Sequence, residues 1–249
     1  MQRAAAYQQA RDAAREEEIQ TVSQFLGGVR IDHFVEVTMA AFYEVAEAVQ
    51  PITVCLNHAT ADPAYSGADF PAGVQQLDAS QAMSFVRQRR DTVSRNVFLT
   101  DLDRTRRQQA FMISLALKLR DAKTFANFGT LQSLVDTAKQ YIAVDQGFDL
   151  LSLASDMQRL AGGDITFETL PVERFGTIDG QSVNIVDVPQ IQAIVAGLLH
   201  PATPAPTGTS SPRPSATSGS TPTPTAPAAP KSYTDSEQPM PSGAVPCVN

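Results

Sequence analysis

The last fifth of this chain sets the limit on what the rest can fold into. From Pro201 it runs "PATPAPTGTSSPRPSATSGSTPTPTAPAAPKSYTDSEQPMPSGAVP", with twelve of the seventeen prolines and almost no large apolar side chain. Such a segment buries too little surface to offset its chain entropy. Residues 201–249 are therefore expected to be a disordered or polyproline-like Pro/Thr/Ser-rich tail, ending in a Cys-containing segment. Residues 1–200 remain for folding, a comfortable size for one core. Tryptophan is absent, so that core must rest on Leu, Ile, Val, Ala and Phe.

Within residues 1–200 helical and strand patterns alternate. Residues 4 to 25 have helical composition, Val29–Thr38 alternates apolar and polar residues as a strand does, and "MAAFYEVAEAVQ" has helical spacing up to Pro51. "ITVCLN" reads as a short buried strand, and "HATADPAYSGADFPAG" as an irregular loop. Asp78 and Gln81 form a capping-box pattern that predicts a helix start. The strongest helical pattern is "DLDRTRRQQAFMISLALKLRD", and further helices are expected near Leu131–Tyr141 and Leu150–Leu160, the second ended by Gly162–Gly163. "ITFETLP" and "SVNIVDV" read as strands, and "VPQIQAIVAGLLH" as a closing helix. Intermixed elements of this kind predict an α/β fold, a layered α-β-α sandwich. No run of eighteen apolar residues marks a transmembrane or signal segment.

Charge is unevenly distributed. The formal net charge is −7, yet seven of the fifteen arginines fall between Arg87 and Arg107. The acidic balance argues against a nucleic-acid partner, which usually leaves a basic footprint on a whole domain. A local anion site is compatible with it, because a charge cluster acts within a Debye length of about 8–10 Å. Arg104, Arg107, Gln108 and Phe111 lie three and four residues apart on the predicted helix and share a face. Arginines in a first helical turn oppose the helix dipole by about 0.3–1 kcal/mol each. A bound anion would turn that conflict into a site of free N–H groups and guanidinium forks. Arg87 and Arg89 close the preceding element, anchored by "AMSFV". On residue chemistry alone, Arg87, Arg104, Arg107 and Gln108 point to a phosphate or pyrophosphate site. Arg89, Arg90, Arg95 and Arg106 read as solvated.

Other constellations carry less. His33, beside Asp32 and Glu36, reads as a half-exposed strand histidine, with a metal or acid/base role as the alternative. His58, Asp62 and Asp69 have no recognised ligand spacing. The sequence holds no G-x-S-x-G, P-loop, Rossmann fingerprint or C-x-x-C. Cys55 and Cys247 are either a buried thiol and an unrelated tail thiol, or a long-range disulfide that requires an oxidising compartment.

"VRIDHFVEV", "YSGADFPAGVQQLDASQAMSFVRQRR" and "DLDRTRRQQAF", in this order, resemble the second half of a LytR-CpsA-Psr (LCP) domain. "PITVCLN" and "AVPCVN" resemble its actinobacterial, mycobacteria-like branch. The resemblance covers about residues 4 to 200 and the last few. It implies an extracytoplasmic, membrane-anchored cell-envelope phosphotransferase with an α-β-α sandwich. A hydrophobic cleft would hold a polyprenyl-pyrophosphate-linked glycopolymer, arabinogalactan-like or teichoic-type, and pass its sugar phosphate to peptidoglycan. Contact with membrane lipid would come through the substrate. By motif, Arg104 and Gln108 would be catalytic, and Arg87, Arg89, Arg104 and Arg107 would bind the pyrophosphate with the help of Mg2+.

Two departures accompany the resemblance. The family's early Asp/Arg segment, which holds the metal, has no counterpart here, so the chain is expected to be an incomplete, N-terminally truncated LCP-like portion. "RDTVSRNVFLTDLDR" is also longer than the link usual between the two arginine motifs. The alternative function is therefore a truncated, non-catalytic binder of lipid pyrophosphate or anionic polymer.

Overall fold

A computed structural model of the chain describes residues 2–92, 98–120, 142–145, 147–148, 165–200, 231–235 and 237–249. The helices expected near Leu131–Tyr141 and Leu150–Leu160, Arg95, and residues 201–230 of the Pro-rich segment lie outside the described residues. The chain forms two compact units, one of Met1–Asp32 with Leu170–Ala226 and one of His33–Thr169 with Pro227–Asn249.

The first unit contains helix α1 (Gln2–Phe25), the hairpin β8 (Arg174–Ile178) and β9 (Gln181–Ile185), and helix α5 (Val188–Leu199). Asp179 and Gly180 both adopt positive φ, 50° and 77°. Two such residues make the tight turn whose twist suits a two-residue hairpin. Strand β8 precedes the expected strand at "SVNIVDV" and pairs with it antiparallel, Arg174 opposite Ile185. Asp187 caps α5 by accepting from Gln190 N, with Pro189 in its first turn.

The second unit carries the larger core. In chain order it runs β1 (Val35–Val37), α2 (Met39–Val49), β2 (Ile52–Leu56), β3 (Thr60–Asp62), β4 (Ala68–Phe70), β5 (Gly73–Leu77), α3 (Ala79–Arg87), α4 (Asp101–Arg120), β6 (Ile142–Val144), β7 (Thr166–Phe167), β10 (Met240–Pro241) and β11 (Cys247–Val248). Strand β2 lies at the centre of a three-stranded sheet, antiparallel to β5 and parallel to β11. Helix α2 packs on α3 and α4, and α4 packs on β2 and β11. The buried side chains of α3 are Ala79, Ala82, Phe85 and Val86, a stripe at helical spacing. Phe85 is fully buried, which stabilises the unit by about 1.5–3 kcal/mol. Helices laid on a mixed sheet make this an α/β fold, as expected.

Three expectations need correction. The strand expected over Val29–Thr38 contracts to β1, because its only described partner, β6, is equally short. The loop "HATADPAYSGADFPAG" contains the β3–β4 hairpin and the start of β5, strands that bury Thr60, Ala61, Asp62, Ala68 and Phe70. Residues 231–235 and 237–249, expected within the disordered tail, are built into the second unit. Tyr233, Met240 and Val248 join its core, β10 and β11 pair with β7 and β2, and Cys247 is disulfide-bonded to Cys55.

Candidate functional site

Helix α3 begins with the expected capping box: Asp78 accepts from Gln81 N, and Gln81 accepts from Asp78 N. Its last residue is Arg87, and Gln88 turns the chain into extended backbone at the C-cap. Helix α4 starts at Asp101, where Asp103 accepts from both the N–H and the hydroxyl of Thr100. Asp101 and Asp103 in this first turn offset the unfavourable meeting of Arg104 with the helix dipole.

The end of α3, the start of α4 and the β3–β4 hairpin surround one open cavity of about 530 Å³. Arg87, Arg89, Arg90, Arg104 and Gln108 line it together with Asp62, Asp101 and Tyr65. Asp101 Oδ1 pairs with Arg104 Nη2 at 2.7 Å and with Arg89 Nε at 3.1 Å, drawing the two guanidinium groups together. The guanidinium of Arg90 stacks over the Tyr65 ring, 3.9 Å from its centroid. Gln108 Nε2 donates to Val86 O at 3.3 Å. Arg104 Nε is buried and has no hydrogen-bond partner. Planar guanidinium forks with unused donors suit bidentate contact with phosphate oxygens.

The LytR_cpsA_psr family model matches residues 4–198. The chain belongs to the LytR-CpsA-Psr family. A cell wall biosynthesis protein named LcpA from Corynebacterium glutamicum is 42% identical to it over 199 residues, 79% of this chain and 37% of that protein. A probable cell wall biosynthesis protein, LcpB, of the same organism is 29% identical over 179 residues, 72% of this chain and 41% of that protein. The chain thus spans about two fifths of the length of these curated relatives. Among solved structures, a transcriptional regulator from Enterococcus faecalis matches 74% of this chain and 65% of its own at a TM-score of 0.53 and 19% identity. TagV from B. subtilis matches 74% of this chain and 68% of its own at a TM-score of 0.53 and 18% identity. These likenesses establish the fold.

In this LytR-CpsA-Psr chain, four of the five arginine-motif residues singled out from sequence meet at the cavity: Arg87, Arg89, Arg104 and Gln108. Arg107 does not. It is fully buried, donating to Asn249 O (2.6 Å), Gln88 Oε1 (2.5 Å) and Thr60 Oγ1 (3.2 Å). A helix advances about 100° per residue, so Arg107 turns with Phe111 into the core while Arg104 and Gln108 stay at the cavity. Burial pushes the Arg107 guanidinium down to about 10, with Asp103 and Asp91 pulling the other way.

Arg106, expected to be solvated, is 3% exposed and donates to Asp235 O and Gln238 O. Burial lowers its pKa, against the pull of Asp235, Tyr233 and Asp103. Arg106 and Arg107 therefore pin Asp235, Gln238 and Asn249 to α4. Asn57 strengthens the same attachment through Tyr233 O and Cys247 O, each at 3.4 Å. Arg90, also expected to be solvated, lines the cavity.

His33 lies outside β1 and is exposed, with Nδ1 2.9 Å from Asp145 Oδ2. Asp62, which reads from its spacing as a loop residue, lies on β3, buried at the cavity wall. Its one local signal is Ser66, four residues on, whose Oγ donates to Asp62 Oδ2 at 2.9 Å. Among the described residues no helix is long and apolar enough to cross a membrane.

Proposed function

We propose that this chain acts in cell-wall assembly by binding a polyprenyl-pyrophosphate-linked glycopolymer and transferring its sugar phosphate to peptidoglycan. The observation that carries this reading is the convergence of Arg87, Arg89 and Arg104, with Gln108, on one open cavity at two helix ends. Family membership and the cell wall biosynthesis relatives give the reading its context. The Cys55–Cys247 disulfide suits an extracytoplasmic envelope location, because such bonds persist in oxidising compartments.

In this reading the arginines hold the pyrophosphate oxygens and stabilise charge that develops on the transferring phosphoryl group. Arg104 reaches it from the first turn of α4 with a donor left free, and Gln108, one turn on, orients the phosphoryl oxygens. Asp101 holds Arg89 and Arg104 ready for that contact. Mg2+, when bound, would supply further neutralisation of phosphoryl charge. Among the described residues no three His, Cys, Asp or Glu side chains form a ligand group. Of the cavity's two carboxylates Asp101 is already paired with Arg89 and Arg104, which leaves Asp62 as the residue that would join substrate phosphates and water around Mg2+.

The test is turnover of a polyprenyl pyrophosphate by the purified chain, with and without Mg2+. Arg104→Ala is expected to lose about 10²–10³ in rate, the usual effect of removing one donor to a developing oxyanion. Binding without turnover would instead make the chain a non-catalytic binder of lipid pyrophosphate. Absence of both would refute the reading.

A further inference from the structure

Residues 87–90 read Arg-Gln-Arg-Arg, and burial picks out the uncharged one. Arg87, Arg89 and Arg90 are exposed at the cavity, while Gln88 is 0% exposed. A buried side-chain amide is costly unless it is hydrogen-bonded, and this one is bonded at both ends. Its Oε1 accepts from Arg107 Nη1 at 2.5 Å and from the Thr60 hydroxyl at 3.1 Å. Its Nε2 donates to Arg90 O at 2.8 Å. Arg107 in turn donates from Nη2 to Thr60 Oγ1 and from Nε to Asn249 O. Gln88 thus joins α4 and β3 to its own arginine-bearing segment.

This junction lies on the core side of the cavity. Gln88 adjoins Arg87 and Arg89 in the chain, and Arg107 adjoins Gln108 and is one turn from Arg104. Extended backbone at Gln88 sends neighbouring side chains to opposite sides, so the inward hold on Gln88 turns Arg89 outward. The same bond sets the separation between the two halves of the cavity, Arg87 and Arg89 at the end of α3 and Arg104 and Gln108 on α4. On the cavity side Gln108 Nε2 donates to Val86 O, a bond it gives up when it turns to phosphoryl oxygens. A methionine would fill nearly the volume of Gln88, so burial alone does not account for an amide here. A satisfied polar network instead specifies one geometry.

We propose that Gln88 is a positioning residue for the anion site: its bond to Arg107 holds the two halves of the cavity at the spacing that one pyrophosphate bridges. This inference rests on the pyrophosphate reading of the cavity and adds a consequence for selectivity. An anion that spans both halves depends on their spacing, whereas orthophosphate, with a single phosphorus, can engage one half alone. The site should therefore prefer pyrophosphate, and the preference should depend on Gln88.

The experiment is calorimetric titration of the full, disulfide-bonded chain with inorganic pyrophosphate and with orthophosphate, wild type against Gln88→Met. Wild type is expected to bind pyrophosphate more tightly than orthophosphate. Gln88→Met is expected to lose about 10- to 100-fold in pyrophosphate affinity, the order of one charge-assisted hydrogen bond, with orthophosphate affinity little changed. A merely structural role would reduce the competent fraction of the chain and weaken both anions by the same factor. The readout is therefore the ratio of the two affinities.

An unchanged ratio in Gln88→Met would overturn the proposal, as would wild type that binds both anions equally. Wild type that binds neither would overturn the pyrophosphate reading as well. Should Gln88→Met fail to fold, hydrogen exchange at Arg107 Nε decides on wild type alone. At equal occupancy the two anions slow exchange through global unfolding equally. Extra slowing by pyrophosphate, whose binding requires the intact tie, supports the proposal, and equal slowing overturns it.

Discussion

Breaking the Cys55–Cys247 bond should produce a large stability change. The two cysteines are 192 residues apart in sequence. In the loop-closure relation, a cross-link over that span removes about 18 cal/mol/K of entropy from the unfolded chain, or about 5 kcal/mol at 25 °C. The hydrogen bonds from Arg106, Arg107 and Asn57 to the closing segment remain when the sulfurs are replaced. The loss should therefore appear mainly as lower resistance to unfolding, with the strap still in place. With a urea dependence of about 2 kcal/mol per M, Cys55→Ser/Cys247→Ser should lower the unfolding midpoint by about 2.5 M. Because the chain has two compact units, the assay must report on the second. Hydrogen exchange of the Asn57 amide, which donates to Val248 O at 2.8 Å between β2 and β11, does so. A midpoint change below about 0.5 M would refute the loop-closure reasoning and assign the attachment to the arginine contacts.

Two further predictions follow from groups away from the cavity. Arg107→Ala removes donors from Asn249 O, Thr60 Oγ1 and Gln88 Oε1, the last of which keeps the Thr60 hydroxyl, and is expected to lower stability by about 1–3 kcal/mol for each buried acceptor left without a donor, read by thermal denaturation. Arg107→Lys should recover little, since one ammonium lacks the fork that spans them; full recovery would show that charge alone matters. The Asp145 carboxyl is held below its usual range, first by its hydrogen bond with His33 and then by the N–H of Phe34, burial acting the other way. Its stabilising contribution is complete above the ordinary carboxylate value and fades as pH falls through the lowered one. In His33→Ala, a carbon-detected titration should show Asp145 moving up toward that ordinary value; an unchanged curve would refute the assignment.

Much of the local structure was legible in the order of residues. The capping box at Asp78, the apolar stripe of α3, the start of α4 near Asp101 and the Pro189 turn of α5 all depend on neighbours three or four positions away. Such contacts are written directly into sequence spacing. The arginine motifs were legible as well, and Arg87, Arg89, Arg104 and Gln108 meet at one cavity. The three-residue strands β3 and β4 were not, because they are too short to show alternation and lie among Pro, Gly and Asp.

What only the tertiary structure decided concerns partners distant in sequence. Arg104 and Arg107 are chemically alike and one turn apart, yet one faces the cavity and the other is enclosed by Thr60, Gln88 and Asn249. The composition of the Pro-rich segment predicted disorder to the end of the chain, but Tyr233, Met240 and Val248 find core space on strands far upstream. Asp62 lies in a stretch without ligand spacing, and only the packing of β3 against the ends of α3 and α4 places it on the cavity wall with the arginines. Spacing along the chain determines which face a side chain takes on its own element. Whether that face meets solvent, core or a cluster of charges depends on how separate elements pack, and that packing seats Asp62 on the cavity wall with four arginines.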